Sequence, residues 1–482
     1  MSNSTDFFRF HNVINGVCRE GTQTYQGVNP STRKPLWDIP VAAAADLDDA
    51  VSAAQAAFPG WAKTGWAGRQ SRLAEARKIL HENRELMAGL IVEECGKPIQ
   101  FASLEVQHSL DFLDFYGKVR PLEPRIVQDD ADLKISVYHV PLGVVAAICP
   151  WNFPLVLAMA KISAGLLTGN CVITKPSPFT PYSIIKFTEL VRDAFPAGVL
   201  QALHGDDTLG PKMCEHPGIQ KISFTGSTTT GKKIMASASK TLKRVTLELG
   251  GNSASIICPD VDVNIVAPQV AMGSFFNSGQ LCVASKRLFV HKDIYRPFLE
   301  AMINTVKSWK VGTANTEDVM LGPVQNEMQY NVVKQFFSDS LEKGHTFAFG
   351  GEIEPQADNF VVKPAIVDNP PDESLVVTGE AFGPIVPIQT WENEEEVIKR
   401  ANNTETGLGG AVWSRDVARA ERIAHSIEAG TIWINSFEKP LPQAHLAGHK
   451  QSGIGGEWGE EGLLSYCIPR TIHYYKNPVV IE

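Results

Sequence analysis

The sequence predicts an α/β protein of two large domains with a small β arm, and three observations carry that reading. The chain has 482 residues, more than a single hydrophobic core usually serves. Short apolar runs alternate with helical stretches over most of its length, as in open, largely parallel sheets with helices on both faces. An acidic turn, Asp129-Asp130-Ala131-Asp132, precedes the alternating run Lys134 to His139, which reads as part of a hairpin standing apart from that alternation.

The elements follow in order. Leu47, Val51, Ala54 and Phe58 recur at helical spacing with Asp46 as N-cap, so a helix is expected over 46–58. A longer helix is expected over 69–95, stopped by Gly96 and Pro98, and a third over 101–118. Strands are expected over 143–148, 171–174, 199–203, 219–224 and 244–249. After Gly251 a second α/β series has strands over 255–258, 287–291, 360–367, 410–414 and 431–435. The aromatic and β-branched segment Tyr466 to Lys476 is expected to join the hairpin arm. The domains are therefore placed at 1–118 with 142–250, at 251–450, and at 119–141 with 466–482 for the arm.

Composition narrows the class of partner. Hydrophobic residues make up 44% and charged residues 20%, an ordinary globular balance. A net charge of −9 and a pI near 5.8 disfavour nucleic acid or an anionic membrane as the main partner and leave a small soluble ligand. Eight cysteines, at 18, 95, 149, 171, 214, 258, 282 and 467, form no CxxC pair and no zinc spacing, so free thiols and no metal are expected. Met1 to Phe10 has no basic stretch leading into an apolar core, no apolar run approaches the roughly 18 residues of a membrane helix, and Val479 to Glu482 ends in neither a peroxisomal nor a prenylation signal; a cytoplasmic location is expected.

Several motifs carry chemistry. In Asn277-Ser278-Gly279-Gln280-Leu281-Cys282 a thiol follows small residues that let a substrate approach the backbone, and Glu248 in Leu247-Glu248-Leu249-Gly250-Gly251 lies 34 residues earlier. A thiol and a carboxylate so placed suggest a nucleophile and a general base. A free cysteine chosen blindly is more often buried packing; Gly279 and Gln280 single out Cys282, with Cys149 beside Pro150 as the rival. Asn152 in Pro150-Trp151-Asn152-Phe153-Pro154 either holds an oxyanion together with the Cys282 backbone N–H or caps the following helix. No Gly-x-Gly-x-x-Gly follows the first strand, but Gly226-Ser227-Thr228-Thr229-Thr230-Gly231 comes where a strand should turn into a helix, and free N–H groups at a helix N-terminus suit a pyrophosphate.

Taken in this order, and with Glu380-Ala381-Phe382-Gly383-Pro384 as a further match, the motifs resemble the NAD(P)-dependent aldehyde dehydrogenase superfamily of the hydrolytic, non-phosphorylating type. The resemblance runs from near Asp46 to near Tyr474. It implies a Rossmann-like cofactor domain, an α/β catalytic domain, catalysis at their junction, and a homodimer or homotetramer assembled through the arm. Cys282 would attack the aldehyde, Asn152 would steady the oxyanion, and Glu248 would activate water for thioester hydrolysis. Cofactor contacts are expected from Cys149, Pro150, Trp151, Lys175, Ser177, Gly226, Ser227, Gly231, Glu380 and Phe382. Many family members carry a glutamate three residues after the lysine matching Lys175, where it binds the ribose 2′-OH; here that position is Pro178, so NAD is expected as the preferred cofactor with NADP possible.

Phe153, Val156 and Ala160 fall on one helix face after Asn152, and Phe276 and Phe437 are expected opposite them, giving an apolar substrate tunnel. An apolar aliphatic or aromatic aldehyde fits such walls. Lys439 and His445 keep a carboxylated semialdehyde open. A nucleotide-independent thioesterase-like enzyme and a catalytically silent ligand-binding relative are the alternatives from other classes.

Overall fold

The computed structural model describes residues 7–314, 316–353, 358–437, 439 and 441–477. The ends of the expected segments 1–118 and 466–482 therefore lie partly outside the described residues.

The first large sheet has eight strands in the order Val17–Arg19, Asn12–Ile14, Leu200–Ala202, Cys171–Lys175, Val144–Ile148, Lys221–Thr225, Arg244–Glu248 and Gly453–Ile454. Its five central strands run parallel. They are largely buried, and Val144–Ile148 is an unbroken apolar run buried at every residue, as suits a parallel strand covered on both faces. Chain order reverses between Val144–Ile148 and Lys221–Thr225, so a crevice opens beyond the carboxyl ends of these two strands.

The second sheet has seven strands in the order Thr346–Phe349, Ala365–Asp368, Ile385–Trp391, Ser285–His291, Ser253–Ile257, Gly409–Trp413 and Thr431–Ile434, parallel except at Thr346–Phe349. Arg125–Asp129, Leu133–Pro141 and Cys467–Tyr475 form a third, antiparallel sheet, so the C-terminal strand does pair with the hairpin, over the full register from Cys467↔Pro141 to Tyr475↔Leu133.

Several elements differ from the sequence expectation. The first helix is Ala44–Lys63, longer than 46–58, and Asp46 lies one turn inside it; its Oδ2 accepts the backbone N–H of Ala43 at 2.8 Å. The expected 69–95 helix is two, Trp66–Glu82 and Arg84–Cys95. Asn83 divides them, its side-chain amide donating to the Ile79 carbonyl at 2.8 Å in competition with the helix ladder. Gly96 ends the second in the left-handed region, φ +72°, as expected of a C-cap.

Of the expected 360–367 strand only residues 365–367 join the sheet, in the strand Ala365–Asp368; the Phe360 carbonyl instead accepts the Val324 N–H, while its own N–H donates to Pro30. The central strand Ile385–Trp391 was not anticipated, because Pro384 and Pro387 punctuate it. Pro387 lies just outside the run Ile388–Trp391 that pairs with Leu288–His291, so its missing N–H is tolerated there. The chain after 451 returns to the first sheet, where Gly453–Ile454 pairs antiparallel with Leu247 and Glu248.

Candidate active site

The crevice predicted by the strand reversal is a cleft of about 760 Å³. Its walls come from the segment after Val144–Ile148, the segment after Cys171–Lys175, the turn into the helix Thr228–Ala238, and, across the cleft, Cys282, Glu380, Phe382 and the helix Glu327–Glu342.

Cys282 sits at the end of a loop whose backbone is unusual. Asn277, Ser278 and Gly279 are all left-handed, with φ of +52°, +55° and +76°. Such a run persists only where its surroundings hold it, and it commonly marks a functional turn. A Cβ at Gly279 would stand 2.2 Å from the Gly383 carbonyl oxygen, so only glycine fits. Gln280 locks the loop: its Oε1 accepts the Gln325 N–H at 2.8 Å and its Nε2 donates to the Asn277 carbonyl at 3.0 Å. Ser278 Oγ donates to Gly322 at 2.7 Å, and Lys286 Nζ closes on the Gly279 carbonyl. Gly251 permits the close approach of the Glu248 motif, since a Cβ there would lie 2.5 Å from the Cys282 carbonyl oxygen.

Cys282 is partly exposed to the cleft, and desolvation, assisted by the charges of Glu380 and Glu248, pushes its thiol up to about 12. The rival Cys149 also lines the cleft, but it is buried and its thiol donates weakly to the Ala147 carbonyl at 3.8 Å.

Asn152 is buried in the cleft wall, and its amide donates to the Gln280 carbonyl at 3.0 Å. That bond uses one of two amide hydrogens and ties the amide to the Cys282 loop, leaving the second available to an oxyanion. The capping alternative is not what the structure shows: the helix Pro154–Leu167 has no side-chain cap, and the N–H groups of Leu155 and Val156 are instead served by Glu105 at 3.0 and 3.4 Å.

Glu248 ends its strand behind the wall formed by Leu249 and Gly250 and does not itself line the cleft. Among the described residues neither carboxylate oxygen has a hydrogen-bond partner. Burial, then repulsion from Glu457, raises its proton affinity well above the carboxylate range, with Lys161 opposing. Glu457 is itself held by Lys161 Nζ at 2.7 and 2.8 Å. A buried carboxyl without partners is otherwise unfavourable, which makes it a strong functional candidate.

The end of the cleft at the helix Thr228–Ala238 offers groups that suit a pyrophosphate. Ser227 caps the helix Thr228–Ala238, accepting the Thr230 N–H at 3.2 Å, and Gly226 and Ser227 line the cleft. Gly231 lies behind the lining, where it packs so close to Leu249 that a Cβ would come within 2.6 Å of its side chain. Cys149, Pro150, Trp151, Lys175 and Ser177 all line the cleft, and so does Pro178. Phe382, at φ +45°, meets Trp151 edge-on at 5.3 Å. Glu380 accepts the Gly251 N–H at 3.1 Å, and burial pushes its carboxyl up to about 7.

The five tunnel residues are less unified. Phe153 stacks on Phe276 at 6.1 Å and 14°, with Phe101 edge-on to Phe276 at 4.9 Å. Val156 and Ala160 are buried in the helix beyond, whereas Phe437 packs on a different core cluster, beneath Lys439 at 4.6 Å. None of the five is on the cleft lining itself.

Sequence reasoning missed Asp207, Lys233, Met328, Gln329 and Val332, which also line the cleft. Asp207, Met328, Gln329 and Val332 lie on a loop and a helix that carry no motif, whereas Lys233 follows the Gly226–Gly231 turn on its helix. Gln329 supports the Phe382 loop, donating to the Ala381 and Phe382 carbonyls at 2.8 and 3.3 Å. Elsewhere His11, Cys18 and Glu189 bring potential ligand atoms within 4.8 Å of one another, but Lys186 and Arg192 already engage Glu189 and Cys18.

A large cleft at a sheet reversal, with a thiol loop on its wall and a buried carboxylate behind that wall, defines an enzyme site of the α/β class. The sequence profile of the aldehyde dehydrogenase family matches residues 17–472, and the chain belongs to that family. The chain is 40% identical to the aldehyde dehydrogenase LUC3 of a Fusarium species over 98% of this chain and all of the relative. It superposes on the NAD+ complex of an aldehyde dehydrogenase from Bacillus cereus with a TM-score of 0.95 at 32% identity, covering 99% of each chain. An NADP-dependent enzyme from E. coli gives a TM-score of 0.95 at 30% identity, over 98% of this chain and 99% of the other. The protein is thus an NAD(P)-dependent aldehyde dehydrogenase. No helix among the described residues is long and apolar enough to cross a membrane.

Proposed function

We propose that this enzyme oxidises an apolar aliphatic or aromatic aldehyde to the free carboxylic acid through covalent attachment to Cys282, with NAD preferred and NADP used measurably. The observation that carries the reading is that Asn152 is tied to the Cys282 loop while the unpartnered Glu248, behind the cleft wall, is near enough for its charge to raise the Cys282 thiol. The Cys282 sulfur bonds to the aldehyde carbon as its thiol proton passes to water, and the carbon–oxygen π bond opens to an oxyanion facing the Asn152 amide and the Cys282 N–H. An NAD(P)+ held by Lys175, the Gly226-Ser227 turn, Glu380 and Phe382 would supply the hydride acceptor, so that the carbon bonded to Cys282 is left as a thioester. Ionised Glu248 then takes a proton from water, the water oxygen bonds to the acyl carbon, and the carbon–sulfur bond breaks to release the acid.

Apolar substrates are supported by the Phe153–Phe276 stack and by the small, buried Ala160, which lie beyond the cleft lining on the side of Asn152. A semialdehyde carboxylate finds less support: Lys439 lies over Phe437, and His445 faces the Trp458 carbonyl at 3.3 Å. An aldehyde panel assayed with NAD, with NADP and without nucleotide tests the whole reading. Nucleotide-dependent formation of free acid, best with apolar aldehydes, is expected. Turnover without nucleotide would instead indicate a thioesterase-like enzyme, and the absence of turnover with bound ligand a silent relative.

A further inference from the structure

Pro178 leaves the ribose end of the cleft without the carboxylate that the sequence comparison leads one to seek there, yet that end is not without a negative charge. Asp207, on the loop between the strand Leu200–Ala202 and the helix Leu209–Glu215, lines the cleft together with Lys175, Ser177, Pro178, Gly210 and Pro211. Asp207 and Glu380 are the carboxylates of the cleft lining, and Glu380 belongs to the opposite wall beside Gly251.

Two adjacent aspartates occupy this loop, and they have different employment. Asp206 is consumed by the turn, accepting the Thr208 N–H at 2.9 Å and its hydroxyl at 2.7 Å. Asp207 is exposed, and no donor among the described residues is bonded to it. It nevertheless interacts with Lys175: burial lowers the proton affinity of that ammonium, and Asp207 is the strongest of the charges that oppose the loss. The lysine stem packs over Gly210, 3.8 Å from where a Cβ would be. An anchored cation and an uncommitted carboxylate thus stand at the same end of the cleft.

We infer that Asp207 is the residue that selects between the two nucleotides, accepting a ribose hydroxyl of NAD and repelling the 2′-phosphate of NADP in place of the carboxylate absent at position 178. This rests on the proposed use of NAD(P) by the same cleft. A ribose diol offers hydrogens that a carboxylate accepts and oxygens to which Lys175 donates, so the pair Lys175 and Asp207 suits an unphosphorylated ribose. A 2′-phosphate brings about −1.5 to −2 charges to the same place, where Lys175 and Lys233 attract it and Asp207 opposes it. Removing the negative charge therefore moves the two nucleotides in opposite directions.

The test is Asp207→Asn in the full-length enzyme, with kcat/KM measured for both nucleotides against one aldehyde. Binding of ADP-ribose and of its 2′-phosphorylated form is measured by calorimetry as a readout free of turnover. The NAD-to-NADP ratio is expected to fall by about tenfold or more, with NAD weakened, NADP strengthened and kcat little changed. Raising the salt concentration should narrow the difference between wild type and variant for the phosphorylated ligand. In a Pro178→Glu background, which supplies a carboxylate on the other side, Asp207→Asn should change the ratio less. An unchanged ratio, or equal loss for both nucleotides, overturns the assignment of Asp207 while leaving the enzyme's use of nucleotide intact. Failure of wild type to bind either ligand would overturn the cofactor reading itself.

Discussion

At the scale of single residues, burial favours the protonated form of both reacting groups. Burial pushes the Cys282 thiol up to about 12 and lifts the Glu248 carboxyl well above its ordinary range. A raised carboxyl affinity means that the base form appears only as pH rises, so thioester hydrolysis should speed up with pH and be lost as pH falls. The pH profile of kcat is the check: wild type should show an ascending limb attributable to Glu248, and Glu248→Gln should lack it. The same variant should keep a pre-steady-state burst of reduced nucleotide while turnover falls by about 10²-fold or more, because acylation precedes the step that needs the base. Cys282→Ala should retain less than about a tenth of wild-type activity at saturating nucleotide. A surviving pH limb in Glu248→Gln would move the base elsewhere, and Glu457 would be the next residue to substitute.

At the scale of elements, the thiol loop is the most constrained piece of the site. Gly279→Ala places a methyl group where the Gly383 carbonyl already stands, at a backbone angle that disfavours any side chain. Activity should drop by about tenfold or more while far-ultraviolet circular dichroism stays native, since the strain is local. An unaltered kcat would show that the loop is held less tightly than its hydrogen bonds indicate. The helix Pro154–Leu167 carries a second prediction. Ala160→Trp should raise KM for bulky aldehydes and spare acetaldehyde and nucleotide binding; a uniform loss would indicate misfolding, and no change would place Ala160 outside the substrate path.

These elements also show what was legible in the sequence. The thiol, the asparagine and the glycine turn were readable because each is a local signature: Gly279 announces a left-handed turn, and Gly226-Ser227 a helix start. The split at Asn83 and the strand Ile385–Trp391 were not, because local side-chain bonding and the placement of Pro387 within the sheet decided them. Asp207, Gln329 and the return of 453–454 onto the Glu248 strand depend on contacts between distant parts of the chain and leave no periodic trace.

At the scale of the molecule, the two large sheets supply the cores of the two proposed domains, and the third sheet is set apart from both. One of its faces presents Ile126, Tyr138, Ile468, Ile472 and Tyr474, exposed by 37 to 62% and aligned by register. Exposed apolar residues gathered on one sheet face suit contact with a second copy of the chain. Combining Ile472→Glu with Tyr474→Glu should shift the enzyme toward monomer in light scattering; an unchanged mass would remove the arm from assembly. On the proposed mechanism the aldehyde carbon becomes bonded to Cys282 during turnover. Glu248→Gln, mixed with an apolar aldehyde and NAD+, then quenched in acid and examined by intact-protein and peptide mass spectrometry, tests it directly. One acyl group per chain on the Cys282 peptide is expected, absent without nucleotide; an acyl group on Cys149 or another residue, or reduced nucleotide formed with no adduct at any time, would contradict it.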